Sequence, residues 1–178
     1  MLKNNKYVLV ALMAIFISGK SESQLLKVGD KVPEFKLPEQ NGKVFDLKNS
    51  FGKENLVIYF YPKDESTFCT KEACAFRDNS DAFLKKDAKI IGISSQSVAS
   101  HKEFADHHKL PFVLLSDQDN NVHKLFGVST SPMPDRVTFV VDKTGTIVYC
   151  YESITQPLRH VELALKALNN SAANAPKK

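Results

Sequence analysis

The stretch that decides the fold is residues 55–74, NLVIYFYPKDESTFCTKEAC. Its first part, NLVIYFY, is a continuous apolar run, which is typical of a strand covered on both faces of a sheet. After Pro62 the sequence turns polar and carries two of the chain's three cysteines, Cys69 and Cys74. This order predicts a buried strand, a loop at its carboxyl end, and a helix that holds both thiols.

Strand and helix patterns alternate along the rest of the chain. Apolar runs at 88–95 and 112–116 predict two more buried strands, and 43–47 alternates weakly. Residues 136–152 contain two alternating runs around DKTG, which predicts a hairpin. The predicted helices occupy about 67–86, 97–109, 120–127 and 156–168. This alternation indicates an α/β fold with a mixed central sheet and helices on both faces.

The length and composition predict one globular domain. The chain has 178 residues, of which 43% are hydrophobic and 25% are charged. We expect the folded domain to span residues 26–170. Residues 171–178 are small and polar, and we expect them to form a disordered tail.

The amino-terminal segment has the pattern of a secretory signal peptide. Lys3 and Lys6 precede an apolar run over residues 7–17, and small polar residues follow. As a helix, that run would span roughly 16 Å, which is too short for a hydrocarbon core of about 30 Å. We expect residues 1–21 to be a signal peptide and the protein to be exported. An uncleaved anchor, a mere apolar extension and a cytoplasmic location are the alternatives.

The net charge gives no reason to expect a nucleic-acid partner. The chain has 24 lysines and arginines against 20 acidic residues, a formal net charge of +4. Removal of residues 1–21 would take away three lysines and no acid, which leaves +1. The sequence contains no cluster of five or more lysines and arginines of the kind that binds nucleic acid.

Cys69 lies where a thiol is expected to be reactive. With Ser66 or Thr67 as the N-cap, Cys69 falls in the first turn of the predicted helix. Free backbone N–H groups and the positive end of the helix dipole favour a thiolate at that position. The alternative is a buried, inert cysteine, but the polar neighbours of Cys69 argue against it.

The spacing of Cys69 and Cys74 sets a condition on any bond between them. Positions five apart on an α-helix have Cα atoms roughly 8.6 Å apart. A disulfide needs a Cα separation below about 7 Å. The two cysteines can therefore bond only if the first turns of that helix unwind.

The segment FYPKDESTFCTKEACAFRD resembles the active-site segment of peroxiredoxins, in their bacterioferritin-comigratory-protein or Q-type branch. Pro62, Ser66 and Cys69 match the family pattern Pro-x-x-x-Thr/Ser-x-x-Cys. Thr67 and Phe68 stand where the commoner Q-type form has Pro-Gly. The resemblance extends over about residues 28–168 and implies a thioredoxin-like fold.

The resemblance implies a thiol peroxidase that uses no cofactor and no metal. Cys69 would attack the peroxide and become a sulfenic acid, and Arg136 would stabilise the thiolate and bind the peroxide oxygens. Ser66 would hydrogen-bond the peroxide, and Pro62 would shape and shield the pocket. Cys74 would resolve the sulfenic acid as an intramolecular disulfide, and thioredoxin or a similar dithiol would reduce it. Q-type relatives are often monomers, so we expect a monomer.

For several of these residues, a structural or solvent-exposed role is the alternative to a role in catalysis. Cys74 could be a core cysteine with Cys150 as the resolving thiol, although we expect Cys150 to be structural. Without the resemblance, Arg136 would be interpreted as a surface ion pair. Glu72 and Lys71 are expected to be solvated. The histidines are expected to be without function, since His107 and His108 are adjacent and should face different ways. The five histidines are His101, His107, His108, His123 and His160.

Three other functions remain open. A thiol–disulfide oxidoreductase usually uses C-x-x-C, which this chain does not contain. A copper-delivery protein on the same fold would want C-x-x-x-C and a distant histidine. A redox sensor could use the same sulfenic acid chemistry to signal to a partner.

Overall fold

A computed structural model describes residues 24–130 and 135–173. A small antiparallel sheet comes first in the chain and pairs β1 (Lys36–Pro38) with β2 (Val44–Asp46). Five further strands form the central sheet in the spatial order β5-β4-β3-β6-β7. They are β3 (Asn55–Phe60), β4 (Ala88–Ser94), β5 (Val113–Ser116), β6 (Val137–Val141) and β7 (Ile147–Glu152).

The strand predicted at 55–61 is the middle strand of this sheet. β3 pairs in parallel with β4 and antiparallel with β6. Val57 and Tyr59 pack into the core on one face, and Leu56, Ile58 and Phe60 pack into the core on the other. Both faces are covered, which explains the continuous apolar run.

Helices lie on both faces of the sheet, as the sequence predicted. They are α1 (Thr67–Asp78), α2 (Ser80–Leu84), α3 (Val98–His108), α4 (Asn121–Phe126) and α5 (Pro157–Ala173). Residues of α1, α2, α3 and α5 form one core cluster with the sheet. α4 packs into the opposite cluster, together with apolar residues from 25–37 and a short 3-10 helix at Leu47–Ser50.

The prediction of a single helix at 67–86 was wrong, because the structure has two helices there. α1 ends at Asp78 and α2 begins at Ser80, with Asn79 between them. The side chain of Asn79 donates to the carbonyl of Ala75 at 2.9 Å. Asparagine competes in this way with the backbone bonds of a helix, which favours a break.

A close approach beneath α1 explains a glycine inside a buried strand. Gly92 lies in β4, and a Cβ at this position would come within 2.7 Å of the ring of Tyr59 and of Leu114. The absent side chain lets the Tyr59 ring stack on Phe76 of α1, with the ring centroids 4.7 Å apart. The sheet thereby supports the helix that carries both cysteines of interest.

The terminal predictions fall largely outside the described residues. The predicted signal peptide at 1–21 lies wholly outside them. α5 continues to Ala173, into the segment predicted as a tail, and 174–178 lie outside the described range. Within the part that the structure describes, no helix is both long and apolar enough to cross a membrane.

Candidate active site

The loop between β3 and α1 is fixed by a buried carboxylate. Asp64 is 4% exposed and accepts hydrogen bonds from Tyr61 (2.8 Å) and Ser100 (2.6 Å), and it lies 2.9 Å from the ring of His101. Burial opposes ionisation, but hydrogen bonds led by that from His101 hold the pKa of Asp64 below its usual range. The loop that leads to Cys69 is thus tied to α3.

Cys69 lies in the first turn of α1, as the sequence predicted. Ser66 is the N-cap, but its hydroxyl donates to the carbonyl of Lys63 at 3.1 Å and caps no helix N–H group. The orphan N–H groups at the start of α1 therefore remain available to an anion. The thiol of Cys69 is free and only 1% exposed.

Arg136 meets Cys69 from just before β6. Its Nη2 donates to the sulfur of Cys69 at 3.5 Å. The guanidinium is itself buried, with 3% exposure, so its charge acts in a medium that screens it weakly. Its Nε has no hydrogen-bond partner among the described residues and could serve a ligand.

Glu72 is part of this site, which corrects the expectation that it is solvated. It is fully buried, and its Oε2 accepts from Nη1 of Arg136 at 2.5 Å. Burial raises the pKa of Glu72 to about 8, although the charge of Arg136 works in the opposite direction. Below that pH, the carboxyl is neutral and leaves the charge of Arg136 uncompensated beside Cys69.

His160 on α5 is buried next to Glu72, which corrects the expectation that this histidine has no role near the site. Its Nε2 faces the carbonyl of Ser153 at 2.9 Å and must donate to it. Burial lowers the pKa of His160 to about 4, so its Nδ1 is an acceptor at neutral pH. Nδ1 lies 2.8 Å from the hydroxyl of Thr138 and 3.5 Å from Oε1 of Glu72. That carboxyl oxygen has no hydrogen-bond partner among the described residues.

The proton on Glu72 predicts a pH dependence of stability. Glu72 ionises near 4.5 in the unfolded chain but near 8 in the folded one, so the folded state holds the extra proton in between. The free energy of unfolding should therefore decrease as the pH rises towards 8. His160 acts with the opposite sign, but only below about 6.5. Urea denaturation between pH 6.5 and 8 should show this decrease in the wild type and not in Glu72→Gln.

The matched control is Glu103→Gln, which changes an exposed glutamate of α3. This variant should keep the wild-type decrease. An equal decrease in Glu72→Gln would show that Glu72 is already ionised in the folded protein at neutral pH.

Cys74 lies on the same unbroken helix as Cys69. α1 is continuous from Thr67 to Asp78, and both thiols are free. Disulfide formation therefore requires α1 to unwind, as the spacing predicted. Cys74 is partly buried, and its sulfur lies 3.9 Å from Nδ1 of His108 on α3.

Cys150 lies apart from this arrangement, in β7. It pairs across the sheet with Phe139 and packs partly buried against the core. Burial, with a smaller effect from Glu152, raises the pKa of its thiol to about 11. Such a thiol is mostly protonated at neutral pH and is a poor nucleophile, which fits a structural role.

Pro62 borders a cavity of about 80 Å³ near the end of β3. Its lining residues are Tyr61, Pro62, Ser95, Asn120, His123 and Thr130. The ring of His123 is held by Asp117, whose Oδ2 lies 2.6 Å from its Nδ1. His123, which was expected to be without function, thus lines the same cavity as Pro62.

His107 and His108 converge on one carboxylate, so the expectation that they face different ways was wrong. Glu65 Oε1 lies 2.9 Å from Nδ1 of His107, and its Oε2 lies 3.0 Å from Nε2 of His108. Among the described residues, these three side chains form a group whose possible metal-ligand atoms all lie within 4.8 Å of one another. Each of the three side chains takes part in a hydrogen bond within the group, which is a hydrogen-bonded cluster and needs no metal ion to explain it.

The sequence of this chain matches a known family over most of its length. Residues 28–150 match the AhpC/TSA family. The chain is 45% identical over 145 residues to "Peroxiredoxin Q, chloroplastic" of rice (Oryza sativa subsp. japonica), covering 80% of this chain and 66% of that protein. The corresponding protein of Arabidopsis thaliana is 47% identical over 163 residues, covering 86% of this chain and 75% of that protein. The chain belongs to the AhpC/TSA family, in its peroxiredoxin Q branch.

Solved structures confirm the fold of this peroxiredoxin. The peroxidoxin BcpB of Mycobacterium tuberculosis has a TM-score of 0.78 and 33% identity, covering 82% of this chain and 97% of that one. A bacterioferritin comigratory protein of Xanthomonas campestris has a TM-score of 0.70 and 29% identity, covering 80% of this chain and 99% of that one. The predicted family and the thioredoxin-like fold are confirmed. The chain spans about two thirds of the length of the rice relatives.

The structure brings Cys69 and Arg136 into contact. It places Pro62 and Ser66 on the loop between β3 and α1, just before Cys69 in the chain. Glu72 and His160 were missed, although their spacing held a signal. Glu72 lies three positions after Cys69 and four before Phe76, both of which are buried on the same face of α1. His160 similarly precedes Val161 and Ala164 on the buried face of α5. A polar residue within an apolar stripe indicates a buried polar group that needs a partner.

Proposed function

We propose that this peroxiredoxin is a thiol peroxidase whose peroxidatic residue is Cys69. The observation that carries the proposal is the contact at 3.5 Å between the Cys69 sulfur and Nη2 of Arg136, at the start of α1. A cation and free helix N–H groups both favour a thiolate at that position. The relatives named peroxiredoxin Q support the same activity.

The proposed reaction begins with attack of the Cys69 thiolate on one peroxide oxygen. The S–O bond forms as the O–O bond breaks, and hydroxide or an alkoxide leaves and takes up a proton. The free Nε–H of Arg136 can donate to a peroxide oxygen, and the guanidinium can stabilise the charge that develops there. Ser66 would hydrogen-bond the peroxide once its hydroxyl leaves Lys63, and Pro62 would shield the pocket. Cys69 ends as a sulfenic acid.

Cys74 is the proposed resolving thiol. It attacks the sulfenic sulfur of Cys69 after the first turns of α1 unwind, and water is released as the disulfide forms. Cys74 is less buried than Cys69, and its thiol is free. Cys150 is a weaker candidate because burial raises the pKa of its thiol to about 11.

The substrate and reductant follow from the same chemistry. The Xanthomonas campestris structure is described in terms of alkyl peroxide reduction, which supports organic hydroperoxides beside hydrogen peroxide as substrates. Thioredoxin or a similar dithiol would reduce the disulfide, and the protein would act as a monomer. Size-exclusion chromatography of the reduced protein tests the monomer.

Residues 1–21 are proposed to be a targeting segment. The basic start and the apolar run support export to the periplasm or beyond. The plant relatives are named as chloroplastic proteins, which supports a plastid as the alternative destination. The amino-terminal sequence of the mature protein, isolated from its source, tests whether the segment is removed.

Mass spectrometry after one equivalent of peroxide tests the proposed activity. The reduced protein should lose two hydrogens, and peptide mapping should find Cys69 joined to Cys74. Thioredoxin should restore the original mass. Failure of hydrogen peroxide and of an organic hydroperoxide to oxidise Cys69 would contradict the peroxidase and favour a thiol–disulfide oxidoreductase.

Replacement of Arg136 tests the role of its planar fork. In Arg136→Lys, the rate of Cys69 oxidation should fall by about tenfold or more, because one ammonium cannot contact the sulfur, Glu72 and the peroxide together. The thiolate fraction at neutral pH should fall as well. Ultraviolet absorbance measures it in a background with Cys74→Ser and Cys150→Ser, where Cys69 is the only thiol. An unchanged rate and an unchanged thiolate fraction would contradict this role and leave Arg136 as a buried hydrogen-bond partner of Glu72.

A further inference from the structure

A carboxylate, an imidazole and a thiol form a line beside α1. Glu65 lies in the loop before α1, His108 is the last residue of α3, and Cys74 is in the middle of α1. Glu65 Oε2 lies 3.0 Å from Nε2 of His108, and Nδ1 of the same ring lies 3.9 Å from the Cys74 sulfur. The two nitrogens of one ring thus face a carboxylate and a thiol.

The partners of His108 decide which of its nitrogens carries the proton. Glu65 accepts only, and hydrogen bonds from His108 and then His107 hold the pKa of its carboxyl below its usual range. Nε2 must therefore donate to Glu65. In the neutral ring, Nδ1 is then left as an acceptor that faces Cys74.

The backbone and neighbours of His108 keep the ring in place. Nη1 of Arg77 donates to the carbonyl of His108 at 2.7 Å, and the ring lies edge-on to Phe104 with centroids 5.0 Å apart. The His108 side chain is 16% exposed, whereas that of His107 is 69% exposed. Of the two histidines on Glu65, His108 is therefore the less exposed one and the one that contacts a cysteine.

We propose that His108, oriented by Glu65, is the base that deprotonates Cys74 for the resolving step. This inference rests on the proposed function, in which Cys74 is the resolving thiol. The proton moves from the Cys74 sulfur to Nδ1 of His108. The thiolate then attacks the Cys69 sulfenic sulfur, the S–S bond forms and the S–O bond breaks. The departing hydroxide takes up the proton that His108 releases, so the net products are a disulfide and water.

The charges around His108 suit this role. The titratable and charged groups that face it are Glu65 from the loop, Cys74 and Arg77 from α1, and His107 from its own helix. Proton transfer would place a positive charge on His108 next to the carboxylate of Glu65 and a negative charge on Cys74. The guanidinium of Arg77 interacts with Cys74 and is also paired with Asp78 at 2.9 Å. The transferred charges would therefore lie between a carboxylate and a guanidinium.

The test separates the two chemical steps in the full chain. Reduced protein is mixed with one equivalent of hydrogen peroxide and quenched at intervals with dimedone, and mass spectrometry follows sulfenic acid and disulfide. In His108→Asn, Cys69 oxidation should proceed at the wild-type rate, while disulfide formation should be slower by about tenfold or more. The disulfide rate should also rise more steeply with pH than in the wild type, because solvent hydroxide then removes the proton.

The matched control is His107→Asn, which removes the other ring on Glu65 but leaves His108 and Cys74 in place. It should form the disulfide within about twofold of the wild-type rate, since an exposed hydrogen bond of this kind contributes little. Imidazole in the buffer should restore part of the rate in His108→Ala, because the side chain that it replaces is partly open to solvent.

The outcomes distinguish the relay from the peroxidase. Wild-type disulfide formation in His108→Asn would overturn the relay and leave the peroxidase intact. Equal slowing in His107→Asn and His108→Asn, without rescue by imidazole, would also overturn it and assign the cluster a structural role. Absence of sulfenic acid in the wild type would instead contradict the proposed function itself.

Discussion

Cys69→Ser should abolish peroxide reduction. We expect the rate to fall by about a thousandfold or more, on the scale of other nucleophile replacements, because a serine hydroxyl stays protonated where a thiol ionises. Arg136 and the start of α1 would remain in place but would have no thiolate to stabilise. A thioredoxin-coupled assay and direct measurement of peroxide consumption check this result.

Cys150→Ser is the control for the loss of a cysteine as such. Its thiol lies in β7 and has a pKa raised to about 11, so this variant should keep near-wild-type turnover. Circular dichroism of both variants would show that the fold persists. Peroxide turnover retained by folded Cys69→Ser would contradict the assignment of the site.

The sequence predicted those parts of the site that lie close together in the chain. The apolar run of β3, an N-cap at Ser66 or Thr67 and the position of Cys69 in the first turn are local features. The structure reproduces them, with Ser66 as the N-cap. The disulfide condition on Cys69 and Cys74 follows from helix geometry alone. Arg136 was found only through the family resemblance, because its contact with Cys69 joins segments far apart in the chain.

The buried polar groups were harder to predict because their partners come from other elements. Glu72 was expected to be solvated, yet Arg136 from before β6 and His160 from α5 enclose it. The pairing of His107 and His108 was missed because adjacent helix residues ordinarily diverge. A carboxylate has two oxygens, however, and Glu65, in the loop before α1, contacts His107 with one oxygen and His108 with the other.

Cys74→Ser should limit the protein to one round of peroxide reduction. Cys69 should still reach the sulfenic acid, since Arg136 and the start of α1 are unchanged, but no thiol would then displace the hydroxide. With thioredoxin present, the variant should not sustain turnover after the first peroxide has oxidised Cys69. With excess peroxide, the sulfenic acid should advance to sulfinic acid, which mass spectrometry detects as added oxygen.

Hydrogen exchange tests the structural half of this prediction. Because α1 holds Cys69 and Cys74 too far apart to bond, the disulfide must cost helical hydrogen bonds between residues 67 and 75. The oxidised wild type should therefore exchange those amides faster than the reduced protein, whereas α5 should change little. Cys74→Ser treated with one equivalent of peroxide should keep the protection of the reduced state, since a sulfenic acid alone places no constraint on the helix. Equal protection of residues 67–75 in reduced and oxidised wild type would mean that Cys74 does not resolve Cys69.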